Sequence, residues 1–133
     1  MGIPARVLVA DDDADMLAAV SDALSGLGFS VVRVESGAGL IDRLATDGPF
    51  DLIVTDISMP WMDGLKTLRS IRTAGVTTPV IVMTALSDEH IPGRVQALGT
   101  NAILLQKPFD LDGLSSAARR LTTYGQPDAA RPR

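Results

Sequence analysis

Residues 51–64 read Asp-Leu-Ile-Val-Thr-Asp-Ile-Ser-Met-Pro-Trp-Met-Asp-Gly, and the fold follows from how this stretch is built. Residues 52–55 are apolar or β-branched without interruption, and the run ends on the carboxylate of Asp56. A proline-containing segment then leads into an amphipathic pattern over residues 64–74. A short continuous apolar run followed by a helical period is a βα unit whose strand is covered on both faces, as in a parallel sheet.

The same unit recurs on either side. Apolar runs, several of them continuous, occupy residues 7–10, 31–34, 80–83 and 102–105, and helical patterns occupy 14–27, 38–46, 92–98 and 111–123. In the first helix Met16, Leu17, Val20, Ala23, Leu24 and Leu27 recur at three- and four-residue spacing and form one apolar stripe. Gly28 and Gly99 stand where helix stops are wanted. Arg119 and Arg120 are expected to close the last helix, where cations suit the dipole. Five such units in one chain predict an α/β sandwich with right-handed crossovers.

Composition narrows the function classes. The 133 residues suit one domain, with 46% hydrophobic and 21% charged residues typical of a soluble globular chain. A formal net charge of −4 provides no basic footprint for nucleic acid, so direct nucleic-acid binding is not expected. With no cysteine, disulfides, thiolate metal sites and cysteine nucleophiles are excluded. The N-terminus lacks the apolar core of a signal peptide, and no apolar run reaches the roughly 18 residues of a membrane helix. A cytoplasmic protein without membrane contact is the default expectation. Residues 125–133, with two prolines and two alanines between charges, are expected to be a disordered tail after a domain spanning 1–124.

Open α/β sheets bind ligands at the carboxyl ends of their strands. There the sequence delivers Asp11, Asp12 and Asp13 after the first strand, Asp56 after the third, Thr84 at the end of the fourth and Lys107 after the fifth. Glu35 follows the second strand and is expected to lie too far out. Clustered carboxylates repel one another and need compensation, which a hard cation with oxygen ligands provides. Helix capping by Asp is the competing explanation; it is adequate for Asp13 but not for the whole run. Asp56 could simply receive hydrogen bonds from the next loop, or act as a nucleophile, since carboxylates form acyl phosphates. Taken singly, Thr84 is an ordinary β-branched strand residue and Lys107 an ordinary surface lysine. His90, the only histidine, lies among Ser, Asp and Glu and reads as solvated. Trp61 reads as a loop residue near the site, with partner contact as the alternative, and Met59, Met62 and Met83 read as packing residues.

Four stretches together resemble the receiver-domain family of two-component response regulators. They are Val9-Ala10-Asp11-Asp12-Asp13, Asp56 through Gly64, Val82-Met83-Thr84-Ala85 and Lys107-Pro108-Phe109. The resemblance implies a flavodoxin-like doubly wound (βα)5 fold with parallel strand order 2-1-3-4-5. It also implies that Asp11, Asp12 and Asp56 bind Mg²⁺ with the backbone carbonyl of Ser58. Asp56 would accept a phosphoryl group from a histidine kinase or a histidine phosphotransfer protein, and Thr84 and Lys107 would contact the phosphoryl oxygens. Ala85 supplies the small side chain wanted beside the site, Ser58 and Leu86 fall where acyl-phosphate lifetime is tuned, and the Lys107–Pro108 bond would be cis. Such a chain would be a switch rather than an enzyme, acting on an unknown downstream protein either as a stand-alone receiver or as one parted from an output domain.

Three departures fall in one region. Leu104 stands where the family often has Tyr or Phe, the stretch from Gly99 to Lys107 is one residue longer than usual, and Pro92-Gly93 should make the fourth helix late and short, starting near Ile91. Movement of Thr84 is therefore expected to be coupled to the backbone of residues 85–93. Two other functions stay open: a degenerate receiver acting as a constitutive interaction module, and a flavodoxin-like cofactor binder or small phosphatase. Retention of every acid, Thr84 and Lys107 weighs against the first. Asp11–Asp13, which would repel a flavin phosphate, weighs against the second.

Overall fold

The computed structural model describes residues 4–59 and 63–125, the last three by backbone alone. Among the described residues five strands and five helices alternate: β1 Arg6–Ala10, α1 Ala14–Gly26, β2 Ser30–Val34, α2 Gly37–Asp47, β3 Leu52–Asp56, α3 Gly64–Thr73, β4 Val80–Thr84, α4 Ile91–Gln96, β5 Ala102–Gln106 and α5 Leu111–Gly125. The strands form one sheet in the order β2-β1-β3-β4-β5, every pair parallel. This is the doubly wound (βα)5 architecture expected from the sequence.

Why the apolar runs are continuous is visible in the packing. Successive strand side chains point to opposite faces, and both faces are covered. Val7, Val9, Leu52, Val54, Ile81 and Met83 pack with α1 and α5 through Leu17, Val20, Leu24, Leu114 and Leu121. Leu8, Ala10, Ile53, Val80 and Val82 face Leu40, Leu65, Leu68, Ile91 and Val95 on α2, α3 and α4, and Leu98 just after α4. The central strands β3 and β4 are buried throughout, whereas the outer strands β2 and β5 are not. Truncating a fully buried residue such as Ile53 to alanine costs about 2–5 kcal/mol through lost transfer energy and the cavity left behind.

Helix ends follow the local chemistry. Asp13, Ser36 and Asp63 cap α1, α2 and α3 through side-chain oxygens that accept backbone N–H groups. Gly28 and Gly99 have φ of +100° and +120°, a region that glycine enters without strain, and each follows a helix that stops. Helix α4 is six residues long and starts at Ile91 with Pro92 in its first turn, as the proline predicts. One expectation fails: α5 continues to Gly125 and has no basic residue in its last turn. Arg119 and Arg120 therefore do not close that helix, and the dipole argument for them does not hold. The apolar face of α5, including Leu121, lets packing carry the helix onward. Residues 126–133 of the expected tail, together with Trp61 and Met62, lie outside the described residues. Among the described residues no helix is long and apolar enough to cross a membrane.

Candidate functional site

The sheet's carboxyl edge gathers the polar groups because register brings the strand ends level. Ala10 pairs with Thr55, Thr55 with Val82, and Thr84 with Gln106. Asp11 therefore emerges beside Asp56, and Lys107 leaves β5 one residue past Thr84. Glu35, beyond the outer strand β2, is exposed and stays apart.

Asp11, Asp12 and Asp56 each offer a carboxylate oxygen, and these atoms lie within 4.8 Å of one another. Asp11 is fully buried, Asp56 is 5% exposed and Asp12 is exposed. The Lys107 ammonium bridges two of them, donating to Asp11 Oδ2 at 3.0 Å and to Asp56 Oδ2 at 3.3 Å. The other oxygens are oriented locally: Asp13 N–H donates to Asp11 Oδ1 at 2.9 Å, and Ser58 N–H donates to Asp56 Oδ1 at 2.9 Å. Asp13 itself caps α1, accepting from Asp15 and Met16. Capping thus accounts for Asp13, while Asp11 and Asp12 belong to the acidic group.

Burial and charge pull on this cluster in opposite senses. Burial raises the Asp11 carboxyl above its ordinary value, outweighing the Asp13 N–H and the Lys107 ammonium that favour its charged form; the Asp56 charge adds to the rise. Burial also works against the charged form of Lys107, but its hydrogen bond to Asp11 and the charges of Asp56 and Asp11 prevail and hold the ammonium above its ordinary value. One ion pair thus secures the cation without cancelling the desolvation of its buried partner. An excess of carboxylate over ammonium remains. An all-oxygen donor set with residual negative charge fits a hard divalent cation, which takes carboxylates, carbonyls and water.

Thr84 ends β4 fully buried, and its hydroxyl accepts the Leu86 N–H at 2.9 Å. Ser58 and Ala85 are exposed, as is Leu86 at 51%. The Lys107–Pro108 bond is cis. Leu104 is half-buried and packs against the α2–α4 side of the core. His90 is exposed at the α4 N-terminus and makes no side-chain cap. Met59 and Met83 are core residues. Sequence reasoning passed over Gln106, whose amide reaches the loop after β4; a lone polar residue at an outer strand's end gave no signal.

The response regulator receiver domain family model matches residues 7–119. The response regulator MprA of Mycolicibacterium vanbaalenii is 36% identical over 127 residues, which cover 95% of this chain and 54% of that protein. The DNA-binding transcriptional regulator NtrC of Escherichia coli is 37% identical over 121 residues, covering 90% of this chain and 25% of that protein. The chain thus spans about half the length of the MprA relative and a quarter of NtrC. The chemotaxis response regulator CheY4 of Vibrio cholerae superposes with a TM-score of 0.78 at 26% identity, covering 90% of this chain and 99% of that one.

Proposed function

This chain belongs to the response regulator receiver domain family, and from that premise we propose that it is a switch whose phosphoacceptor is Asp56. The observation that carries the proposal is the bridging ammonium of Lys107, 3.0 Å from Asp11 and 3.3 Å from Asp56, at the carboxyl edge of the sheet. Both carboxylates have one oxygen set by an N–H two residues on, but Asp56 ends its own strand and retains some exposure, whereas Asp11 follows its strand and is fully buried.

An Asp56 carboxylate oxygen attacks the phosphorus of a phosphohistidine on a histidine kinase or a histidine phosphotransfer protein. The new O–P bond forms as the P–N bond breaks, and the departing imidazole takes a proton from solvent. Phosphoryl transfer asks for charge neutralisation and positioning rather than for elaborate covalent chemistry. The Lys107 ammonium supplies one positive charge, and the Thr84 hydroxyl donates to a phosphoryl oxygen. Asp11, Asp12 and Asp56, with the Ser58 backbone carbonyl, would hold Mg²⁺. When bound, that ion neutralises charge on the phosphoryl oxygens. The chain promotes only its own phosphorylation and dephosphorylation, and the added charge biases a two-state equilibrium that a downstream protein reads. The net charge of −4 supports a protein partner over direct nucleic-acid contact, and a cytoplasmic site of action goes with this reading.

The test is intact mass after incubation with a small acyl-phosphate donor, with and without Mg²⁺, for wild type and Asp56→Asn. A single Mg²⁺-dependent phosphoryl adduct, absent from the variant, is expected. No adduct on the folded wild type would overturn the mechanism and leave the constitutive interaction module as the better description.

A further inference from the structure

We infer that Gln106 is a positioning residue, tying the turn after β4 to the strand end that carries Lys107, so that the state of Asp56 is passed to residues 85–90 through side-chain hydrogen bonds to backbone carbonyls. The inference rests on the phosphoacceptor role proposed above.

The turn is closed from two sides. From within, the Thr84 hydroxyl accepts the Leu86 N–H at 2.9 Å. From β5, the Gln106 side-chain nitrogen donates to the Thr84 carbonyl at 3.2 Å and to the Leu86 carbonyl at 2.9 Å. Both partners are carbonyl oxygens, so only the nitrogen end of the amide can serve, and its two hydrogens match its two acceptors. The Thr84 carbonyl also takes the Lys107 backbone N–H at 2.7 Å. Gln106 and Lys107 thus divide the work of one strand end: Lys107 Nζ holds the carboxylates, and Gln106 holds the turn.

Residues 85–90 are exposed. Their remaining hydrogen bonds are local, centred on Asp88 and the start of α4. Among the described residues, the bond from Gln106 to Leu86 is the only hydrogen bond from this connection to another strand. A segment with few buried contacts opens cheaply, so one bond has leverage over its position. When the Thr84 hydroxyl moves to donate to a phosphoryl oxygen, its bond from the Leu86 N–H either follows or lengthens, and in both cases Gln106 is the link that makes the turn move with the strand end rather than fray.

Gln106→Leu removes both donors at similar bulk, and Gln106→Glu keeps the shape but sets a carboxylate against two carbonyl oxygens. Intact mass and amide hydrogen exchange are measured on wild type and both variants, before and after treatment with an acyl-phosphate donor and Mg²⁺. All three are expected to take the adduct. Before treatment, exchange around Leu86 should be about three- to tenfold faster in both variants, since of the two bonds lost the one to the Thr84 carbonyl is backed by the Lys107 N–H and the one to Leu86 is not. The phosphorylation-dependent change in residues 85–90 seen in wild type should fall to less than half in each variant. Variants that exchange like wild type, or that keep the full phosphorylation-dependent change, would overturn the inference. A normal Gln106→Glu beside a loose Gln106→Leu would also overturn it, since shape rather than hydrogen bonding would then be at work. An adduct that forms only on wild type would place Gln106 in the phosphoryl step instead. If wild type itself takes no adduct, the phosphoacceptor role fails and the inference falls with it, an outcome distinct from the others.

Discussion

Gly64 opens α3 at a point where the chain passes very close to Ile57. A Cβ built on Gly64 would lie 2.5 Å from Ile57 Cα, 2.7 Å from its Cβ and 2.9 Å from its Cγ2. The first of these is a backbone atom and cannot swing aside, so Gly64→Ala must push either the start of α3 or the loop by about 1 Å to regain carbon–carbon contact at ~3.5 Å. The Gly64 N–H also donates to the Ile57 carbonyl at 3.2 Å, and the same displacement strains that bond. Overpacking costs about 1–3 kcal/mol, and loss of the bond about 0.5–1.5 kcal/mol. Alanine returns roughly 0.5–1 kcal/mol as the better helix former. The balance is a destabilisation of about 2 kcal/mol, or a urea midpoint about 1 M lower at a slope near 2 kcal/mol/M. Gly93 is the control: it lies within α4, and a Cβ there meets nothing within 4 Å. Gly93→Ala should therefore raise stability by about 0.5–1 kcal/mol. Equilibrium urea unfolding of the two variants beside wild type tests the opposed signs. Because Ile57 directly follows Asp56, Gly64→Ala should also slow formation of the phosphoryl adduct. A Gly64→Ala midpoint at or above that of wild type, or shifts of the same sign in both variants, would refute the steric reasoning.

Ser21 lies on α1 with a buried hydroxyl that has no hydrogen-bond partner among the described residues, so Ser21→Ala should raise stability by about 1 kcal/mol in thermal or urea unfolding. Asp11 has a raised folded pKa, so its unfavourable contribution is full above that value and fades as pH falls through it towards the unfolded value. The stability difference between Asp11→Asn and wild type should accordingly be greatest near neutral pH and shrink in acid; a difference independent of pH would contradict the desolvation account. For Asp63 the sign reverses. The Lys66 N–H, then the Arg94 guanidinium, hold its carboxyl below the ordinary range, so its stabilisation is present above the unfolded pKa and is lost as pH falls through the folded one. Asp63→Ala should cost about 1 kcal/mol as a lost cap, while Asp63→Asn should keep the cap and lose only the pH dependence. That dependence should be small, since both ion-pair partners are half exposed and screened. Mg²⁺ at about ten times its Kd should stabilise wild type by ~1.4 kcal/mol, and this gain should be much reduced in Asp12→Ala.

Much of this protein was legible in its sequence because the relevant signals are local. A strand covered on both faces must be apolar without interruption, so four such runs and a fifth broken at Arg33, set between amphipathic stretches, indicate the α/β class by themselves. The proline at 92 placed the start of α4, and Asp13 was recognised as a cap, since both act within one helical turn. The carboxylates and Lys107 could be assigned to strand ends for the same reason. The role of Arg119 and Arg120 was not legible in the same way: α5 runs on past them to Gly125, because a helix's extent depends on whether its apolar face finds a partner and the two cations carry no record of that packing.

What tertiary structure decides is the geometry with which side chains meet across the sheet edge. Lys107 reaches Asp11 across 96 positions of sequence and Asp56 across 51. Those meetings depend on strand order and register, which no local periodicity encodes. Gly64 shows the same division: its place in the motif is plain in the sequence, but the 2.5 Å approach to Ile57 that requires a glycine exists only once β3 and α3 are packed. Gln106 is the extreme case. On an outer strand it resembles any solvent-facing amide, and its hold on the turn after β4 arises because β4 and β5 are neighbours in space, joined by parallel pairing that sets Thr84 opposite it.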